Sequence, residues 1–141
     1  MILLDTNVIS ELMKASPDLR VLNWLNNNTG DGLFISAISQ AEIALGIALL
    51  PTGKRQDALA LAAAAMFAED FAGASLPFDQ GATGHYAKLV TYRTRMGLPI
   101  STEDAQIAAI ALHYGFKLAT RNVKDFVEIA GLILINPWQS T

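Results

Sequence analysis

Five short apolar runs, each closing on a polar turn, are spaced along the chain with helix-forming stretches between them. Residues 1–4 run into Asp5-Thr6-Asn7, Leu33–Ser36 into a helical stretch, 74–78 toward Asp79, 116–119 into Thr120-Arg121-Asn122, and 132–135 into Asn136-Pro137-Trp138. Runs of this length suit strands buried on both faces, and strands that alternate with helices are joined by crossovers that make the sheet parallel. The expected class is α/β, a central parallel sheet covered by helices on both sides.

The helical stretches carry start and stop signals. Helical turns are predicted over 8–13, and a helix over 18–27 with Ser16 as N-cap and Pro17 at its first position. After a turn at 28–32, a helix is predicted over 39–50, stopped by Pro51 and Gly53. An alanine-rich helix over 56–71 offers small residues for close packing. A helix over 79–96 ends at Gly97-Leu98-Pro99, and another, capped by Ser101 or Thr102, runs to Tyr114 with Gly115 beyond it.

No linker or repeat interrupts the 141 residues, which suit a single domain over 1–141, and 52% hydrophobic content is far above what a disordered chain carries. The absence of cysteine excludes disulfides and thiolate metal sites. MILLDTN has no basic segment before its apolar residues, and no apolar stretch is long enough to cross a bilayer. A soluble, cytoplasmic protein without membrane association is expected. The formal net charge of −3 argues against a grip on nucleic acid by bulk electrostatics, so such a substrate would need local, metal-assisted binding.

Three carboxylates occupy equivalent places in this architecture. Asp5 ends the first strand, Glu42 is expected in the first turn of the helix after Leu33–Ser36, and Asp104 in the first turn of the helix from Ser101. In parallel sheets ligands bind beyond the carboxyl ends of strands, beside helix N-termini. Each acid also has a plainer reading: Ser39-x-x-Glu42 and Ser101-x-x-Asp104 match capping boxes, and Asp5 can cap a helix. Capping does not explain why all three should share one sheet edge. Two like charges about 4 Å apart repel by roughly 4 kcal/mol at a surface-like dielectric, and no Lys or Arg adjoins the three in sequence. A divalent cation would resolve the repulsion, and an all-oxygen set of carboxylates, Thr or Asn oxygens and water suits Mg²⁺ or Mn²⁺ rather than Zn²⁺.

The segments MILLDTNVISEL, SAISQAEIALG, STEDAQIAAIA and ATRNVKDF, in this order, resemble the PIN-domain family across essentially the whole chain, and within it VapC-type toxins and the FitB-like branch, down to Asn136-Pro137-Trp138. The resemblance implies a three-layer α/β/α sandwich and a Mg²⁺-dependent endoribonuclease (with Mn²⁺ as a substitute ion) acting as the toxin of a type II toxin–antitoxin system. It also implies a homodimer and a cognate antitoxin, with DNA engaged only through that antitoxin. The family's acidic positions fall on Asp5, Glu42 and Asp104, and its fourth on Asn122, a neutral side chain that puts a second metal site in question; Asp125 could compensate or be a surface acid. Thr6 and Thr120 match the family's supporting hydroxyls, and Arg121 and Lys124 could hold phosphate or be solvated. His85 and His113 read as structural, and Trp24 and Trp138 as packing or interface residues. Two other readings remain. A haloacid-dehalogenase-type phosphohydrolase also sets Asp after its first strand but wants a second Asp where Asn7 stands. A catalytically weak PIN domain could act with an antitoxin as a DNA-binding regulatory complex.

Overall fold

In the computed structural model, which describes residues 1–139, five strands form one sheet in the order β3-β2-β1-β4-β5, and all four pairings are parallel. The strands are β1 Ile2–Leu4, β2 Leu33–Ser36, β3 Ser75–Leu76, β4 Lys117–Ala119 and β5 Leu134–Ile135. The helices are α1 Thr6–Leu12, α2 Leu19–Asn28, α3 Ala37–Ala48, α4 Lys54–Ala65, α5 Thr83–Arg95 and α6 Thr102–Tyr114. The single domain expected over 1–141 extends onto residues 140–141, which lie outside the described residues.

β1 explains the three layers. Successive strand residues face opposite sides, so Ile2 and Leu4 enter a core with Val8, Val21, Ile43 and Ala63 of α1–α4, while Leu3 enters one with Leu89 of α5 and Ile107 and Ile110 of α6. The register carries this across the sheet: Leu3 pairs with Phe34 and Leu118 on one face, and Leu4 with Ala119 on the other. Burying each such leucine contributes about 1.5–3 kcal/mol. A one-residue slip would reverse both faces, so the position of Asp5 past the strand end is firmly set. Ala105, Ala108, Ala109 and Ala111 of α6 are fully buried, and their small side chains let the helix lie close to the sheet.

The elements expected from sequence are all present, and several boundaries move for identifiable reasons. α1 begins earlier than expected, at Thr6, because Asp5 caps it, accepting from Thr6 N–H at 2.8 Å. The cap of α2 is Asp18 rather than Ser16, with Pro17 outside the helix: Asp18 accepts from Arg20 N–H at 2.9 Å, and its own N–H donates to the Glu11 carboxylate at 2.9 Å. α3 begins directly after β2, capped by Ser36 through Ser39 N–H, so it starts at Ala37, two residues before the expected Ser39. The stretch expected as one helix over 56–71 is α4 followed by a π-helical turn at Met66–Asp70, and that over 79–96 is a 3-10 turn at Gln80–Ala82 leading into α5. α6 matches expectation at both ends, with Ser101 as its cap and Gly115 left-handed at φ 71°.

Arg93 is buried without a carboxylate partner among the described residues. Its Nε donates to Leu98 O at 2.9 Å, and its Nη1 to the carbonyls of Asp125 and Val127 at 2.8 Å each. One guanidinium thus ties the loop before α6 to the loop after β4.

Candidate active site

The strand order reverses beside β1: the chain leaves it for β2 and β3 on one side and returns to β4 on the other. This switch point opens a crevice at the carboxyl ends of β1 and β4, the place where open parallel sheets bind ligands. Asp5 follows β1 and Thr120 follows β4. Thr120 Oγ1 donates to Asp5 Oδ2 at 2.7 Å, bridging the crevice floor, and accepts from Asn122 N–H at 3.1 Å. Asn7 adds a clamp, donating to Asp5 Oδ2 at 3.2 Å and accepting from Arg121 N–H at 3.2 Å.

Glu42 is in the second turn of α3, not the first, because Ser36 is the cap. The capping-box reading of Ser39-x-x-Glu42 is therefore overturned: Ser39 N–H is bound by Ser36, and the Glu42 carboxylate turns to α1 instead. Thr6 Oγ1 lies 2.7 Å from Glu42 Oε1 and 2.8 Å from Ser39 Oγ. A hydroxyl has one proton and a carboxylate only accepts. Thr6 therefore donates to Glu42 and accepts from Ser39, whose own oxygen lies 3.4 Å from Ser36 Oγ. The hydroxyls of β2 and α3 thus orient Glu42 through Thr6. Asp104 is half-buried in the first turn of α6; its backbone N–H, rather than its carboxylate, completes the cap by donating to Ser101 Oγ at 3.1 Å.

Asp5, Glu42, Asp104, Asn122, Thr6 and Arg121 come together around one cavity of about 420 Å³. Thr120 is fully buried behind Asp5 and does not line it. Asp125 and Lys124 also stay off the lining, although the Asp125 charge acts on Asp104. The lining adds residues that sequence reasoning passed over: Asn7, Ser10, Glu11 and Lys14 of the first helix and its end. The signal for Ser10 and Glu11 was their four-residue spacing from Thr6 and Asn7, which sets each pair on one side of a helix, whereas Lys14 lies two residues past the helix end. Trp138, read as a packing residue, is 5% exposed, belongs to the core, and reaches the same cavity with the Arg121 guanidinium 5.0 Å from its ring centre. His113 lies 3.4 Å from Asp79 and beside His85, away from this cavity.

The electrostatics is unbalanced. Asp5 is 4% exposed, and burial, joined by the charges of Asp104 and Glu42, pushes its carboxyl from 3.8 up to about 6, against the opposing hydrogen bonds of Thr120 and Thr6. Asp104 is also raised, first by burial and then by Asp125, Glu42 and Glu103, with the Ser101 hydroxyl opposing. Among the described residues no Lys or Arg forms an ion pair with Asp5, Glu42 or Asp104. No three acidic or histidine side chains among the described residues close tightly enough to hold a metal ion by themselves.

Comparison with known proteins agrees with this architecture. The PIN domain family model matches residues 2–132. The VapC ribonuclease Y4jK of Sinorhizobium fredii is 44% identical over 139 residues, covering 99% of each chain. The toxin FitB of Neisseria gonorrhoeae is 39% identical over 138 residues, covering 98% of this chain and 99% of that one. Among solved structures, FitAB bound to the IR36 DNA fragment superposes with a TM-score of 0.90 at 38% identity, covering all of this chain and 98% of that one. A three-layer sandwich on a parallel sheet, carboxylates at the switch between β1 and β4, and full-length relatives of the VapC and FitB type lead to one assignment: the chain belongs to the PIN-domain family.

Proposed function

We propose that this chain is a metal-dependent endoribonuclease, the toxin of a toxin–antitoxin pair, with Asp5 and Asp104 as direct ligands of Mg²⁺ or Mn²⁺ and Glu42 at the same centre. The observation that carries the reading is the buried Asp5, facing two further carboxylates across a cavity where none of the three has a cationic partner among the described residues. The donor set is all oxygen, which suits a hard cation. The looseness of the cluster also fits, because Mg²⁺ retains several waters and takes one or two carboxylates with substrate phosphate rather than a protein cage. When bound, such an ion lowers the pKa of water and stabilises charge at phosphorus.

The chain's own residues have separable tasks. Thr120 and Asn7 hold Asp5 Oδ2, and Thr120 acts through Asp5 rather than on substrate. Glu42, aimed by Thr6, orients the attacking water and takes up its proton. Asn122 offers a neutral oxygen or amide at the rim, and Arg121, resting on Trp138, meets the phosphate. Incubation of the purified protein with total RNA and Mn²⁺ is expected to yield fragments, with none after chelation. Intact RNA at saturating Mn²⁺ would favour the second reading, which Asn122 supports: a catalytically weak domain acting with its antitoxin on DNA.

Asp5 also sets a pH test. Its folded pKa is raised, so the contribution it makes to stability is complete below 3.8 and is lost as pH rises through about 6. About two pH units correspond to roughly 3 kcal/mol missing from the metal-free protein at pH 7.5. Mn²⁺ is therefore expected to raise the melting temperature strongly at pH 7.5 and little at pH 5, where a proton competes for Asp5. Equal shifts at both pH values would remove Asp5 from the metal site.

For the partner, an apolar groove of about 780 Å³ continues from the acidic cavity between α1, α3 and α4 and shares Thr6, Ser10, Lys14 and Glu42 with it. An antitoxin lying in this groove would reach the acidic centre directly, and DNA would be engaged through that partner, as the FitAB–DNA complex suggests. A homodimer in the cytoplasm completes the proposal; no helix among the described residues is long and apolar enough to cross a membrane.

A further inference from the structure

The acidic cavity has two cations on its lining, Lys14 and Arg121, and only Arg121 has been given a task. Thr6 and Ser10 lie one turn apart on α1, Lys14 follows two residues past the end of that helix, and all three line the cavity. Glu11 holds Lys14 there. This carboxylate is 5% exposed; its Oε1 accepts from Lys14 Nζ at 2.9 Å and its Oε2 from Asp18 N–H at 2.9 Å. The Lys14 side chain is nevertheless 59% exposed, and an ammonium has three donors, of which Glu11 takes one. The same carboxylate fixes the Asp18 N–H at the start of α2, so one buried acid both serves the fold and keeps the exposed Lys14 beside the cavity.

We infer that Ser10 and Lys14 form a subsite for an RNA backbone phosphate outside the scissile one, so that the strand leaves the acidic centre along α1. The inference rests on the ribonuclease reading above. Asp5 caps the start of α1, whose seven residues span about 10 Å, and Lys14 lies two residues past the other end, so a phosphate at the Lys14 ammonium is a different one from the phosphate at the Asp5 centre. A chain of net charge −3 has to bind a polyanion through such local cations, and Lys14 and Arg121 are the two that the described residues present to this cavity. Ser10, exposed on α1 and four residues before Lys14, supplies a hydroxyl donor on the same cavity lining.

The test is the salt dependence of binding to a fluorescently labelled, mixed-sequence single-stranded RNA oligomer, followed by anisotropy without divalent metal. Each neutralised phosphate contributes about 0.7 to the slope of log affinity against log salt for single strands. Lys14→Gln keeps a donor for Glu11 and is expected to fold normally, to bind several-fold more weakly at low salt, and to lose about 0.7 of slope. Lys14→Arg should retain the wild-type slope, as should Lys88→Gln on α5, in the opposite helix layer. A wild-type slope in Lys14→Gln, an equal loss in Lys88→Gln, or no RNA binding by the wild type would overturn the subsite. Failure of the ribonuclease reading would appear separately, as intact total RNA in the presence of Mn²⁺.

Discussion

Asp104→Asn protein is expected to fold as the wild type does and to lose RNA cleavage by on the order of 10²-fold or more, the scale of losing one electrostatic partner of a transition state. The fold should survive because α6 does not depend on this carboxylate: Ser101 Oγ is satisfied by the backbone N–H of Asp104. Removing the charge also relieves repulsion from Asp125, Glu42 and Glu103, so the metal-free melting temperature should hold or rise. Single-turnover cleavage of RNA with Mn²⁺, beside a thermal melt, checks both halves. A wild-type rate would take Asp104 out of the site. Asp5→Asn is the less clean experiment, because both Asp5 oxygens already accept hydrogen bonds that an amide cannot all accept.

Glu42→Gln should likewise cost about 10²-fold in rate, the range for losing a general base, with little change in stability. A glutamine oxygen can still accept the Thr6 hydroxyl, so the contact between α1 and α3 survives while the basic, charged group is lost. Ser36 caps α3, so helix capping no longer offers a reason for an acid here. Rates are to be compared at temperatures equally far below each protein's melting point. An unchanged rate would reduce Glu42 to a hydrogen-bond partner of Thr6.

The strands were legible because they face two cores: Ile2–Leu4 and Leu33–Ile35 alternate between the two clusters, so short continuous apolar runs bounded by turn residues suit them. Asp5 and Asp104 were legible for a related reason, since strand ends and helix starts carry strong local signals. What stayed hidden was decided by distant partners. SAIS offers two serines as caps, and the choice of Ser36 follows from β2 pairing with β3 up to Ser36 itself, which leaves no connecting residues before α3. The same holds at α2, where Glu11, seven residues back, takes the Asp18 N–H and sets the helix start beyond it. Asn7 reads as an ordinary turn residue until β4 arrives, because its partner Thr120 is 113 residues away. The π-helical turn at Met66–Asp70 ends α4 where the sequence shows no local break.

The chain also contains its own optical reporter. Of its two tryptophans, Trp24 is partly buried in the α1–α4 core, while Trp138 packs into the same core yet borders the acidic cavity under the Arg121 guanidinium. Any ligand that draws Arg121 away changes the electric field at the Trp138 indole and leaves Trp24 in place. Intrinsic fluorescence of Trp24→Phe protein would then follow occupancy of the cavity in real time, without a label.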